Sequence, residues 1–452
     1  MNHRPRTAVS PLILLCAAAA MLLAVSLPAA AQIPPAARSA ADAAAAAQYR
    51  PQIDAFVKQQ VERLNDTKTT RAIHEARIQL ESQAPGNASA SYLQVYAASL
   101  NANILPLASS KELMTRLNAA IVVAHVAERA RNAELAPAAA KFMADSQDPV
   151  ALWGVKAAKF IIPVLLNTNG AQDPLTPNLL AVVKKNWFSG AIAYEAYDAL
   201  RLNTNSPGAG PAAVGPGAAA PPANAAAIKA AVSSMLGLMT FRAELYAKGV
   251  PPQPIAETLP IEFLTRSRVW PSLSAAQQGQ VLQQTVNIIS FAGQHCGVVG
   301  ADAVAPLATM LQTAGSGVQL IGQATGDAPT TDAGKQLRSI GISTGGGAIS
   351  TITSAAVAAV TGSPKWKTVL KAPPEIGGAA GNILSPSEPP EDDAAPATTA
   401  GGTTGGTGAG AGGTPPKATG AAGGTGAGTG TTGAAGTGAG TTGPGAGGGA
   451  PQ

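Results

Sequence analysis

The chain has 452 residues, of which 46% are hydrophobic, 4% aromatic and 12% charged, and it contains 50 Gly, 36 Pro and 2 Cys. Its charged share is about half of the usual ~25%. The formal net charge of +5 comes from basic residues scattered singly, without the Lys/Arg clusters beside aromatics that mark a nucleic-acid footprint, so nucleic acid is not an expected partner.

Residues 1–31 read as an export signal. His3, Arg4 and Arg6 precede an apolar run from Leu12 to Leu27, and Pro28-Ala29-Ala30-Ala31 follows, with Ala29 and Ala31 supplying an A-x-A site. The run is roughly 16 residues, short of the ~20 that span a bilayer, so cleavage before Gln32 is expected. Losing Arg4 and Arg6 lowers the charge from +5 to +3. Past the signal, apolar runs are interrupted by Gly, Pro or charge, so no further membrane span is expected. The implied location is extracytoplasmic: periplasmic, cell-envelope or secreted. Cys16 leaves with the signal, so Cys296 has no intramolecular disulfide partner; Phe291, Val298 and Val299 around it predict a buried apolar residue.

From residue 32 the sequence is rich in helix signals and poor in strand signals. Residues 32–202 form a first helical block, with helices predicted over 51–64, 70–83, 91–105, 111–131, 135–144, 149–166, 177–186 and 189–202. Asp148-Pro149 reads as an N-cap followed by Pro at the first helical position. Residues 203–225 are uncharged and carry Pro207, Pro211, Pro216, Pro221 and Pro222, a linker or long surface loop.

A second helical block, 226–375, follows, with helices over 226–248, 255–268, 273–293 and 301–322. Residues 330–371 are rich in Gly, Ser and Thr, and 340–360 reads either as a loose helix or as two short strands. The remainder, 376–452, is a tail opened by the acidic stretch Glu388-Pro389-Pro390-Glu391-Asp392-Asp393. Beyond it the only charged residue is Lys417 and there is no aromatic residue. Such a segment buries too little apolar side chain to offset its ordering entropy and is expected to be a disordered coil.

Three helices repeat a small-residue pattern: Leu117-Asn118-Ala119-Ala120-Ile121, Val155-Lys156-Ala157-Ala158-Lys159 and Ala193-Tyr194-Glu195-Ala196-Tyr197. Aligning Ala120, Ala158 and Ala196 gives an offset of 38 residues at each step, and each helix follows a shorter one. That is the layout of a two-helix repeat whose alanines let neighbours approach closely. On these residues, and on Asp148-Pro149 leading to Trp153, Ala157 and Ala158, the segment from about 70 to 202 resembles HEAT-type repeats. It departs from them in lacking the Arg often found in the second helix and in carrying Pro163. The resemblance implies a mainly α, stacked helix-pair solenoid that binds other macromolecules and usually catalyses nothing.

Candidate chemistry is sparse. His125 and Glu128 lie three apart on one predicted helix, and His74 on an earlier one is a possible third ligand; a catalytic zinc needs three such ligands and an open position. Structural histidines and solvated carboxylates are commoner, so no metal, catalytic residue or cofactor is assigned. Tyr194, Tyr197 and Arg201 fall on one helix side and combine the residue types of a binding hot spot, unless that side packs as core. Gly345-Gly346-Gly347 lacks the Lys-Ser/Thr of a phosphate loop. Gly341-Ile342-Ser343-Thr344-Gly345 spells a hydrolase elbow, but no histidine follows it. The expectation is a non-enzymatic interaction or scaffold protein of the cell envelope with a protein partner. The alternatives are an extracytoplasmic metal-dependent hydrolase and a self-associating structural protein.

Overall fold

Local sequence chemistry sets most helix starts. Asp42, Thr69, Ser89, Ser189 and Asp327 each accept a backbone N–H with the side chain at an N-cap, and Ser274 forms a reciprocal capping box with Gln277. The structure is a computed structural model. It describes residues 32–374 apart from 67–68, 170–172, 203–224, 267–268 and 342. The proposed signal, most of the proposed linker and the proposed tail lie outside the described residues.

The described residues are mainly helical and contain no strand. The helices are α1 (Pro35–Arg38), α2 (Ala43–Ala47), α3 (Arg50–Leu64), α4 (Thr70–Ser82), α5 (Ala90–Ile104), α6 (Leu113–Ala130), α7 (Ala136–Met143) and α8 (Asp148–Asn169). They continue with α9 (Thr176–Lys185), α10 (Gly190–Leu200), α11 (Ala225–Ala247), α12 (Pro254–Leu264), α13 (Ala275–Cys296), α14 (Ala301–Thr325), α15 (Ala328–Arg338) and α16 (Gly346–Thr361). These helices all fall within one compact unit, Met1–Pro390; the second unit, Glu391–Gln452, is not described.

Packing alternates along the chain. The odd helices α3, α5, α7, α9, α11 and α13 lie side by side in succession, and so do the even helices α4, α6, α8, α10, α12 and α14. Contacts show that α6, α8, α10, α12 and α14 of the even layer run parallel, since residue numbers rise together where two contacts mark one seam. Arg77 Nη1 donates to Asn118 Oδ1 at 3.2 Å between α4 and α6. Between α6 and α8, the His125 ring lies 5.5 Å from that of Trp153, and Arg131, just past α6, lies 5.8 Å from the Phe160 ring. Lys159 Nζ reaches Glu195 at 3.4 Å and Asp198 at 2.5 Å between α8 and α10. Just past α10, Arg201 Nη2 lies 3.8 Å from Glu262 of α12.

These contacts correct the expected register. The offset of 38 describes α8 beside α10, where Lys159 meets Glu195 and Asp198. Between α6 and α8 it does not hold, because His125 faces Trp153 and Arg131 faces Phe160, pairs fewer than 30 positions apart. The alanines nevertheless do the work expected of them. Ala119, Ala120, Ala157, Ala158 and Ala196 are fully buried. Gly154 extends this close approach: a Cβ added there would lie 2.7 Å from the Phe142 carbonyl carbon and 2.9 Å from Met143 Cα, so α8 rests on the backbone of α7. Asp148 lies inside the first turn of α8 rather than capping it, because the Gln147 carbonyl accepts from both Val150 and Ala151.

One region differs from expectation, and one open reading is decided. At the N-terminal side, α1 and α2 were not predicted; they pack on α5 and bury Ile33, Ala37 and Ala46. At the C-terminal side, the helix alternative for 340–360 is the one seen, as a turn and then α16, with no strand among the described residues. Glycines on this side of the chain serve close helix packing. A Cβ at Gly315 would meet Leu337 Cβ at 2.6 Å and Gly334 O at 2.9 Å, which seats α14 on α15. Likewise a Cβ at Gly293 would meet Thr353 Cβ at 2.7 Å, seating α13 on α16.

A buried polar cluster lies where α10 packs on α11 and α12. Arg242 and Glu257 have side chains 0% exposed. Arg242 Nε donates to Glu257 Oε1 at 3.0 Å, Nη1 to the Trp187 carbonyl at 2.8 Å and Nη2 to the Tyr246 hydroxyl at 2.9 Å. Tyr246 also donates to Glu257, and the Tyr197 hydroxyl donates to Glu257 Oε2 at 3.3 Å. Burial opposes the Arg242 charge, but Tyr246, Glu257 and Tyr197 outweigh it and raise its pKa. The cluster thus ties α10 to α11 and α12.

By length and composition, Asp148–Thr168 is apolar enough to cross a membrane, although Gly154, Lys156, Lys159 and Pro163 interrupt it. In this structure 56% of its apolar window is buried, packed against α6, α7 and α10.

Candidate functional site

Because the even helices run parallel, α8, α10, α12 and α14 bring their N-terminal halves to the same side of the layer. A groove of about 490 Å³ crosses them. Leu152 and Lys156 of α8 form one wall, Ala191 and Tyr194 of α10 the next, and Ile255 of α12 and Pro306 of α14 complete the far side. That volume falls in the range of small-ligand and peptide-side-chain sites.

Local sequence shapes each wall. Ser189 caps α10, so Gly190 and Ala191 form its first turn at the groove. Gly190 leaves room for the Gln253 side chain, whose Cδ would lie 3.0 Å from a Cβ at that position. Gln253 precedes α12 without capping it by its side chain, and Pro254 opens the helix. The next residue, Ile255, is 73% exposed, the most exposed of the large hydrophobic residues named here.

The charges of the groove are unequal. Glu195 is engaged by Lys159, and Lys159 also pairs with Asp198. Burial opposes the Lys159 charge, but the hydrogen bond to Asp198 and the two carboxylate charges prevail and raise its pKa, so the ammonium persists. Lys156 instead places its ammonium 4.4 Å from the centre of the Trp153 ring, a cation–π contact. Glu195 therefore shares the Lys159 ammonium with the closer Asp198, while Lys156 rests on an aromatic face.

The residues singled out by sequence are placed differently from one another. Tyr194 lines the groove, half-buried. Tyr197 is core, 1% exposed; burial first, then the charge of Glu257, raises its pKa. Arg201 pairs with Asp198 at 3.4 Å and with Glu262 at 3.8 Å. The proposed aromatic–Arg hot spot thus separates: a helix inside two layers buries two faces, and Tyr197 lies on the one facing α12.

His74 Nδ1 accepts from Arg77 Nη2 at 3.0 Å. His125 stands 3.9 Å from Glu128 Oε2 and against Trp153. Among the described residues no group of three or more His, Cys, Asp or Glu side chains is placed to hold a metal ion. The Gly341–Gly345 string joins α15 to α16, helix to helix, without the strand a nucleophile elbow requires; Ile342 within it lies outside the described residues. Cys296 is 2% exposed, and burial pushes its thiol up to about 11.

Sequence reasoning missed Lys156 with Trp153, and Ile255. The first pair was findable, because positions three apart on a helix meet. The exposure of Ile255 depends on how α12 abuts α10, which no local pattern encodes. No protein-family model, curated protein or solved structure matches this chain.

Proposed function

We propose that this protein is an exported, non-enzymatic scaffold whose helix pairs stack as a HEAT-like solenoid and whose even-helix face binds a protein partner. The observation that carries this reading is the groove across four parallel helices, apolar on most of its walls and bordered by the exposed Ile255. Alternating side-by-side packing supports the solenoid, since each pair contacts chiefly its neighbours, as repeat stacks do. The sequence of residues 1–31 supports export. Fold alone does not dictate function, so the groove bears the argument.

The test is recovery of a partner from an envelope fraction by three proteins: full-length, full-length Ile255→Glu with Tyr194→Ala, and a version ending at Pro386. One protein held in fixed stoichiometry by the first and third but lost by the groove variant supports the reading. Equal recovery by the variant overturns it, and recovery by full-length alone moves binding to the tail.

A further inference from the structure

Resting on that reading, we propose that the groove takes an extended peptide segment in which an acidic side chain lies next to an apolar one. The apolar half of the argument is the wall chemistry. Leu152, Ala191, Tyr194, Ile255 and Pro306 line the cleft, and Ile255 exposes 73% of its surface, more than an isolated core-facing isoleucine leaves to water. A peptide side chain laid along it would remove that surface from solvent.

The acidic half is charge complementarity. Lys156 is the cation among the lining residues, its ammonium 4.4 Å from the centre of the Trp153 ring, and the one acid among them, Glu195, lies 3.4 Å from the Lys159 ammonium, which also pairs with Asp198 at 2.5 Å. The first turns of α10 and α12 open onto the same cleft through Gly190, Ala191, Pro254 and Ile255. Both present the positive end of a helix dipole, which adds to the field of Lys156. A basic peptide would meet Lys156 and both dipoles with the wrong sign; a neutral one would leave them unmatched. The cleft crosses several helices rather than forming a closed hole, which suits an extended chain more than a compact metabolite.

A phage-displayed library of random linear 12-residue peptides, selected on full-length protein, tests this. Selected peptides are then synthesised and titrated against wild type, Lys156→Gln and Ile255→Ser. Unchanged melting and circular dichroism confirm that both variants fold. The expected result is enrichment of Asp or Glu within two positions of Leu, Phe or Pro, with binding weakened roughly tenfold by each variant. Replacing the acidic residue by Lys should abolish binding to wild type. Enriched neutral or basic peptides that still lose affinity in Ile255→Ser would overturn the acidic chemistry and leave the binding face intact. Failure to enrich any peptide, or enrichment of peptides indifferent to both variants, would overturn both.

Discussion

Replacing Glu257 by Gln removes the only carboxylate of the buried cluster while keeping its shape. Arg242 would retain the Trp187 carbonyl at 2.8 Å and the Tyr246 hydroxyl at 2.9 Å, but its charge would have no counter-ion in a site that is 0% exposed. Breaking one partner of a buried ion pair costs about 3–5 kcal/mol, and the surviving amide oxygen places Glu257→Gln near ~3 kcal/mol. Arg242→Met leaves the buried Glu257 carboxyl without its cationic partner, and costs at least as much. In the double variant Arg242→Met with Glu257→Leu the charges vanish together, leaving only hydroxyls and the Trp187 carbonyl short of partners. It should therefore cost less than the sum of the two single changes by at least about 2 kcal/mol. Urea unfolding followed by far-ultraviolet circular dichroism measures this cycle. A second readout is association after proteolytic nicking within 203–224: the two pieces should co-elute in wild type and separate in Glu257→Gln. Additive single effects below about 1 kcal/mol, or nicked pieces that stay together in Glu257→Gln, would refute the view that this cluster ties α10 to α11 and α12.

Other expectations concern packing, protonation and the thiol. Gly315→Ala should cost about 1–3 kcal/mol in thermal or urea unfolding, because its Cβ meets Leu337 and the α15 backbone. Gly347→Ala, with nothing within 4 Å of the added methyl, should be neutral or stabilising by up to about 1 kcal/mol. His295 is 5% exposed, and burial lowers its pKa from 6.5 against a weaker opposing contact from the Val250 backbone. The unfolded chain therefore takes up the proton first. The stability from neutral His295 is complete above pH 6.5 and lost as pH falls from there through the lower folded pKa. Urea midpoints measured from pH 7.5 to 5 should decline, and His295→Gln should flatten that decline. Cys296, with its thiol pushed up to about 11, should react with a thiol reagent at pH 8 only as fast as the native chain opens, and rapidly in urea.

Much of the helical layout was legible because it rests on local chemistry. Apolar spacing along 111–131 or 273–293 announces helices without reference to the rest of the chain, and the structure adds local caps at Ser89, Ser189 and Ser274. The alanine pattern also reported correctly on burial at Ala120, Ala158 and Ala196. It misreported the register of α6 on α8, because several shifts along an alanine-lined seam bury equivalent methyl groups. Only particular contacts, such as Arg131 over Phe160, choose among them. The stretch 340–360 was ambiguous for a related reason. Gly, Ser and Thr weaken both helix and strand propensity, and what decides is the tight seat of Gly293 on Thr353, a contact 60 residues apart.

The candidate site was only partly legible. Tyr194 reached the groove and Tyr197 the core from the same helix turn, a distinction that depends on where α12 lies. Lys156 and Trp153 sat within a segment already recognised as a repeat helix, yet their joint exposure was visible only once α10 and α12 bordered them. Arg242 and Glu257 are 15 residues apart, with nothing in the intervening sequence to signal a buried pair.

The most direct test of the central claim is site-specific photo-crosslinking in cells that produce the protein. A photoreactive phenylalanine analogue is placed at Ile255 in the even-helix groove and, separately, at Lys229, exposed on α11 in the other layer. Discrete adducts with one partner protein from position 255 and none from position 229 are the predicted result. Adducts from position 229 alone, or none from either, would contradict it.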